Sequence, residues 1–171
     1  MRLSYDESFT LLKERVDVMG DPQPVVVRPP RHDEEKMGPT IFRIFVEDVS
    51  MEELTVPGLY VGRSEIANVS FQRTDLHFST FNWTDILDCD FSESDLSGAD
   101  LRACRFERCN FKNSNLSGAD LRGSSFEACS FEDAIMRGAK LRSTDEQQLQ
   151  LTPGQRAEAI WSHEAPEPGG G

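Results

Sequence analysis

Side chains that could perform acid–base or metal chemistry are few and scattered along the chain. The three histidines, His32, His77 and His163, lie in three different segments. The run His32–Lys36 could be a metal site, but one histidine beside adjacent carboxylates has no fixed ligand geometry, and a solvated loop is favoured. No nucleophile elbow, phosphate-binding glycine loop or metal signature occurs. The residue types therefore predict a protein that is not an enzyme and that holds no metal or cofactor.

The four cysteines also indicate structure rather than chemistry. They are Cys89, Cys104, Cys109 and Cys129, and three of them are spaced twenty residues apart. No CxxC pair is present, and a buried free thiol behaves as a small hydrophobic group. Reduced thiols are typical of the cytoplasm. We also find no signal segment and no apolar run of eighteen residues, so we expect a cytoplasmic protein without a membrane association.

The dominant feature is a repeat of five residues between Ile66 and Leu141. Every fifth residue is apolar: Ile66, Phe71, Leu76, Phe81, Ile86, Phe91, Leu96, Leu101, Phe106, Phe111, Leu116, Leu121, Phe126, Phe131, Met136 and Leu141. The residue two positions before each of them is small, from Ser64 to Ala139. Neither a helix nor a flat strand has this period. Such a strict repeat predicts a stacked architecture.

A longer repeat gives the size of each coil. The segment Ser97–Arg102 recurs, with identical residues, twenty positions later as Ser117–Arg122. Twenty residues correspond to four sides of five residues, so we expect a square coil. This geometry stacks Phe71, Phe91 and Phe111 in one column, with strands about 4.8 Å apart. The repeat predicts about four coils, or a rod on the order of 20 Å.

These motifs resemble the pentapeptide-repeat family, whose pattern is Ala-(Asp/Asn)-Leu-X-X. The segments that match it directly are Ala99–Leu101, Ala119–Leu121 and Ser94–Leu96. The resemblance implies a mainly β protein, a right-handed quadrilateral β-helix. It covers about 80 residues of the chain. Fold alone does not determine activity, so the function must be argued from the surface.

The flanking segments are expected to cap the β-helix. Residues 1–62 predict a small α+β segment, with a capping box at Ser4, a helix over 5–19, a short strand at Val25–Val27 and a strand over 41–46. Residues 63–144 form the predicted β-helix. Residues 145–171 predict a capping helix of about 153–163 followed by a disordered, Pro- and acid-rich tail.

Charge and surface residues indicate a protein partner. The net charge of −12 argues against direct binding of nucleic acid and favours a basic protein. Seven acids and no Lys or Arg lie between residues 74 and 101. They are Asp75, Asp85, Asp88, Asp90, Glu93, Asp95 and Asp100. Five precede a central apolar residue, where the family uses Asp or Asn for the fold, so an acidic binding surface and a structural role both remain open.

Three large apolar residues, Phe78, Trp83 and Leu87, are predicted to point outward from the first coil. They could contact the amino-terminal segment or form the hot spot for an external partner.

Two functions follow from these patterns. The first is an immunity or inhibitor protein whose acidic β-helix face occludes the basic substrate groove of a toxin, plausibly a nuclease. The second comes from the resemblance, because some pentapeptide-repeat proteins mimic duplex DNA, bind DNA gyrase or topoisomerase and protect it from inhibitors. Both make this chain a non-enzymatic protein-binding module, either monomeric or dimeric, whose partner is a toxin or a DNA-binding enzyme.

Overall fold

The computed structural model describes residues 1–17 and 38–163, which form a parallel β-solenoid with short helices near its two ends. The helices are α1 (Tyr5–Asp17) and α2 (Pro153–Glu158), with a 3-10 turn at Ser143–Asp145. The strands are β1 (Thr40–Phe42), β2 (Phe45–Glu47), β3 (Tyr60–Gly62), β4 (Glu65–Ala67), β5 (Thr80–Asn82), β6 (Asp85–Leu87), β7 (Arg105–Glu107), β8 (Ser125–Glu127), β9 (Lys140–Arg142) and β10 (Ile160–Ser162).

The register of the strands confirms the coil of twenty residues. Ile41 pairs with Val61, and Val61 with Phe81, all in parallel orientation. Between the strands, isolated bridges continue the same offset, for example from Asp95 to Asn115. Each coil therefore sits directly on the previous one, and backbone hydrogen bonds of 2.6–3.4 Å join successive coils and close the turns.

The solenoid is longer than the sequence predicted. It has about six turns rather than about four, and it begins at Thr40, inside the segment that had been assigned to an α+β cap. The predicted strand over 41–46 is two strands, β1 and β2, separated by a corner at Arg43. The coils before residue 63 were not predicted, because buried Leu54 and Leu59 occupy positions where later coils carry small residues.

Four columns of buried side chains fill the interior. Phe71, Phe91, Phe111 and Phe131 stack with ring centroids 4.9–5.1 Å apart and nearly parallel planes. A second stack, Phe106 on Phe126, has a centroid distance of 5.1 Å. The predicted aromatic column is confirmed. Because the interior is filled by these rings and by aliphatic residues, only the outer walls can meet a partner.

The corners of the solenoid have a backbone conformation that the sequence did not predict. Every fifth residue from Arg43 to Gly138 has a positive φ, and fifteen of these residues are not glycine. The left-handed region costs an L-residue about 1–2 kcal/mol. The ladder of inter-coil hydrogen bonds imposes this conformation at each corner, which fixes the direction of the neighbouring side chains.

Both ends of the solenoid are covered by adjoining chain. The predicted capping box is present, since the Glu7 amide donates to Ser4 Oγ at 3.4 Å and Glu7 Oε2 accepts from the Ser4 amide at 3.0 Å. Helix α1 buries Leu12 and Val16 in the common core. The described part of the helix ends at Asp17, and the predicted strand Val25–Val27 lies outside the described residues.

The carboxy-terminal cap differs from its prediction. Helix α2 starts as predicted, with a capping box between Thr152 and Gln155, but it ends at Glu158 instead of continuing to 163. Residues Ile160–Ser162 form β10 and pair with β9, because an added strand satisfies the backbone edge of the last coil. The predicted disordered tail lies outside the described residues. In the described ranges, the helices are too short or too polar to cross a bilayer.

Candidate protein-binding surface

The seven predicted acidic residues do not share one face. Asp75 and Asp95 stack on one side of the solenoid, and Asp100 lies on the next. Asp85 belongs to β6, whereas Asp90 continues a separate column with Asn110. The seven residues therefore cannot all belong to one binding surface, because a stretch of 28 residues winds around the whole axis.

Four of the seven carboxylates stabilise their own turns. Each accepts a hydrogen bond from the backbone amide two residues later. These residues are Asp75 (3.3 Å), Asp90 (2.9 Å), Asp95 (3.0 Å) and Asp100 (3.2 Å). This is the structural role that the family pattern implied. For Asp90, bonds from Gln72, Ser92 and Asn110 lower the pKa despite an opposing contribution from partial burial.

A different set of acids does lie together, on the sheet β2–β4–β6–β7–β8. We name this surface the acidic sheet. It comprises the outward side chains of the five strands and of the corner that follows each strand, and it carries seven carboxylates and two guanidinium groups. The carboxylates are Glu47, Asp48, Glu65, Asp85, Asp88, Glu107 and Glu127, and the guanidinium groups are Arg105 and Arg108. The strand registers Glu65↔Asp85 and Glu107↔Glu127 place these carboxylates one coil apart.

The two arginines neutralise only part of the acidic sheet. Arg108 donates to Asp88 at 2.6 and 2.8 Å, and this hydrogen bond lowers the pKa of Asp88. Both Arg105 and Arg108 also pair with Glu107. Four carboxylates form no hydrogen bond or ion pair with any described side chain: those of Glu47, Glu65, Asp85 and Glu127. The sheet therefore presents four carboxylates without an ion-pair partner, although Arg43 and Arg63 line a cleft beside Glu65 and Asp85.

Of the predicted site residues, the structure brings only Asp85, Leu87 and Asp88 onto the acidic sheet, with Trp83 at its border. Half-buried Leu87 pairs in register with Ala67 and Glu107. Glu93 is exposed at a different corner. The sequence did not predict Glu47, Glu65, Glu107 and Glu127 as site residues, although the period of twenty residues places Glu47, Glu107 and Glu127 in one column and Glu65 in another with Asp85.

The stacking also creates one cluster of possible metal ligands among the described residues. Asp75, His77 and Asp95 each offer a ligand atom within 4.8 Å of the others. Asp75 Oδ1 is 2.5 Å from His77 Nδ1, and Asp95 Oδ1 accepts from the Ser97 amide. These contacts serve the turns, so the geometry also has a purely structural explanation. The sequence did not predict the cluster because its members come from successive coils.

Burial makes most of the cysteine thiols in the solenoid unreactive. Burial raises the pKa of Cys89 and of Cys104 to about 12. Cys109 and Cys129 lie in the same column as Cys89, and the mutual influence of these two thiols raises the pKa of Cys109 while lowering the pKa of half-buried Cys129. Cys129 is therefore the thiol most accessible to chemistry.

Fold and surface together define a class of protein: a four-sided parallel β-solenoid that exposes fixed columns of side chains. A family model described as pentapeptide repeats matches residues 89–127 and 109–145. Residues 89–145 of this chain therefore consist of pentapeptide repeats, as the resemblance implied. A comparison with curated protein sequences gave no significant match.

Solved structures of pentapeptide-repeat proteins are similar to this chain. A protein from the thylakoid lumen of Arabidopsis thaliana is 24% identical, with a TM-score of 0.45 over 67% of this chain and 72% of that chain. HetL from the cyanobacterium Nostoc, which is involved in regulating heterocyst differentiation, is 17% identical, with a TM-score of 0.27 over 60% and 58%. QnrB1, a plasmid-mediated fluoroquinolone resistance protein, is 13% identical, with a TM-score of 0.32 over 72% and 84%.

Proposed function

We propose that this chain is a non-enzymatic protein-binding module that uses the acidic sheet to occlude a basic groove on its partner. The unneutralised carboxylates of Glu47, Glu65, Asp85 and Glu127 are the observation that carries the proposal. A basic groove is the surface with which a protein binds nucleic acid. The proposed activity is therefore that of an immunity or inhibitor protein, acting in the cytoplasm on a nucleic-acid-directed toxin such as a nuclease.

The rigidity of the sheet supports this activity. Each outward side chain stands on a strand whose central residue is buried, as in Asp85–Leu87, where Ile86 is fully buried. A preorganised surface loses little conformational freedom on binding. Complementary charge accelerates association and makes it sensitive to salt. We therefore expect fast association that slows markedly as ionic strength rises.

The test reverses charge on the acidic sheet without touching its ion pairs. The sheet variant combines Glu65→Lys, Asp85→Lys and Glu127→Lys. Its matched control combines Glu14→Lys, Glu93→Lys and Glu158→Lys, which are exposed residues on other surfaces. Both variants change the net charge equally, and circular dichroism checks that both remain folded. All three proteins are then used as baits on lysate from cells that express the chain, with quantitative mass spectrometry.

The expected result is a basic protein that the wild type and the control retain and that the sheet variant loses at least tenfold. Purified, this protein must lose its own nucleic-acid activity when the wild type is added. If the sheet variant and the control retain the same proteins, the acidic sheet is not the binding surface and the proposal fails.

A second candidate is mimicry of a DNA duplex toward gyrase, which the arrangement of carboxylates along the axis favours. Six turns span about 29 Å at 4.8 Å per coil, comparable to about nine base pairs. Purified protein added to a gyrase supercoiling assay should inhibit the reaction or alter its sensitivity to quinolones. An unchanged reaction at micromolar protein would exclude this candidate.

A further inference from the structure

Trp83 is the most exposed large apolar residue between the two caps, with 71% of its surface accessible. Its side chain makes no hydrogen bond, ring contact or cation–π contact with any described residue. Its backbone is left-handed, with φ of 50°. The solenoid imposes this conformation at every corner, but a bulky side chain is disfavoured in it. Folding alone therefore does not explain an indole at this corner.

Phe78, five residues earlier, shows what a structural aromatic at a corner looks like. It also has a positive φ, of 56°, but its ring lies over Gly98, where an added Cβ would come within 2.5 Å of the ring. His77 packs edge-on against the same ring, with centroids 5.2 Å apart. Phe78 thus covers the corner of the next coil, whereas Trp83 faces solvent.

The surroundings of Trp83 contain two unpaired carboxylates. Trp83 lies at the corner that leads into β6 and lines a surface cleft together with Glu65 and Asp85 of the acidic sheet. Glu65 and Asp85 are direct neighbours in register on β4 and β6. Arg43 and Arg63 line the same cleft but form no ion pair with either carboxylate, and the Arg43 guanidinium lies over the ring of Phe42, 5.3 Å from its centroid.

We propose that Trp83, Glu65 and Asp85 form a receptor for an arginine side chain of the basic partner. This inference rests on the proposed function, because it assigns the anchor of the same surface. The indole face attracts a guanidinium group through a cation–π interaction, and tryptophan is the best ring for it. Arginine also binds carboxylates through a planar fork of donors, which a lysine ammonium cannot reproduce. Tryptophan and arginine are the residue types that dominate interface hot spots.

The receptor can be tested without knowing the partner, using the tripeptide amide acetyl-Gly-Arg-Gly as the probe. The full chain has two tryptophans and therefore two indole N–H signals in a ¹⁵N correlation spectrum, assigned with a Trp161→Phe variant. Trp161 is an internal control, since its indole N–H donates to the Arg156 carbonyl at 2.9 Å. One exposed cation–π contact and two surface ion pairs together contribute about 1–3 kcal/mol, which predicts weak saturable binding with a Kd on the order of 10–100 mM.

We expect the Trp83 signal to shift saturably with the arginine peptide, and much less with the neutral citrulline analogue. The pair Glu65→Gln and Asp85→Asn should weaken binding at least threefold, whereas Glu14→Gln with Glu93→Gln should not. An unchanged Trp83 signal up to 50 mM peptide, an equal response to citrulline, or equal movement of Trp161 overturns the receptor. None of these outcomes affects the lysate test of the acidic sheet, so the two proposals fail separately.

Discussion

Phe111 is one of the two inner rings of the four-ring aromatic column, and removing it measures how much the stack stabilises the solenoid. The ring is fully buried and lies 5.1 Å from Phe91 and 5.0 Å from Phe131, with Phe106 edge-on at 5.6 Å. Burying a phenylalanine rather than an alanine contributes about 3–5 kcal/mol, including the cost of the cavity. Because Phe111→Ala removes stacking contacts on both faces of the ring, we expect it to lower the free energy of unfolding by about 4–5 kcal/mol.

Phe131→Ala is the matched comparison, because Phe131 ends the column. It has one stacked neighbour, Phe111, and one edge-on neighbour, Phe126, at 5.6 Å. A stacked aromatic pair contributes about 0.5–1.5 kcal/mol beyond its buried area, so this variant should lose about 1 kcal/mol less. Urea unfolding followed by circular dichroism gives both free energies. An equal or larger loss at Phe131, or a loss below about 2 kcal/mol at Phe111, would refute the stacking argument.

Three further predictions concern the ends of the solenoid and its thiols. Ser8→Ala removes the buried hydroxyl that accepts from the Thr55 amide at 2.7 Å, so urea unfolding should show a loss of about 1–3 kcal/mol, and no loss would mean that α1 is not held by this bond. Gln155→Leu removes the side-chain amide that donates to the Phe131 and Ala134 carbonyl oxygens at 2.7 and 3.0 Å. Backbone hydrogen exchange should become faster in the last two coils only, and faster exchange throughout the solenoid would contradict a cap that stabilises only its own end. Iodoacetamide at pH 8 should modify Cys129 first, because its pKa is lowered whereas burial raises that of Cys104 to about 12; peptide mapping that found Cys104 first would refute this order.

The local repeat determined the parts of the fold that depend on nearest neighbours. A large apolar residue every fifth position, with a small one two residues earlier, allows only a chain that turns once per five residues. The stacking of Phe91 on Phe111 followed from that period and is confirmed. At the amino end the predicted solenoid begins too far along the chain, at residue 63 instead of Thr40, because Leu54 and Leu59 fill the interior with large residues in place of small ones. The interior requires side chains that together fill its volume, but it does not require the same residue type at each repeat position.

The candidate site could not be predicted from residues that are close together in the sequence. Asp90 and Asp95 stand five residues apart but lie on different sides of the solenoid, whereas Glu47 and Glu127 are eighty residues apart and lie on the same sheet. Sequence alone determined that the interior is closed and that only the outer walls are available. The tertiary structure decided which charges share a wall and which are neutralised, because both depend on inter-coil register and on arginines such as Arg108 that reach across one coil to Asp88.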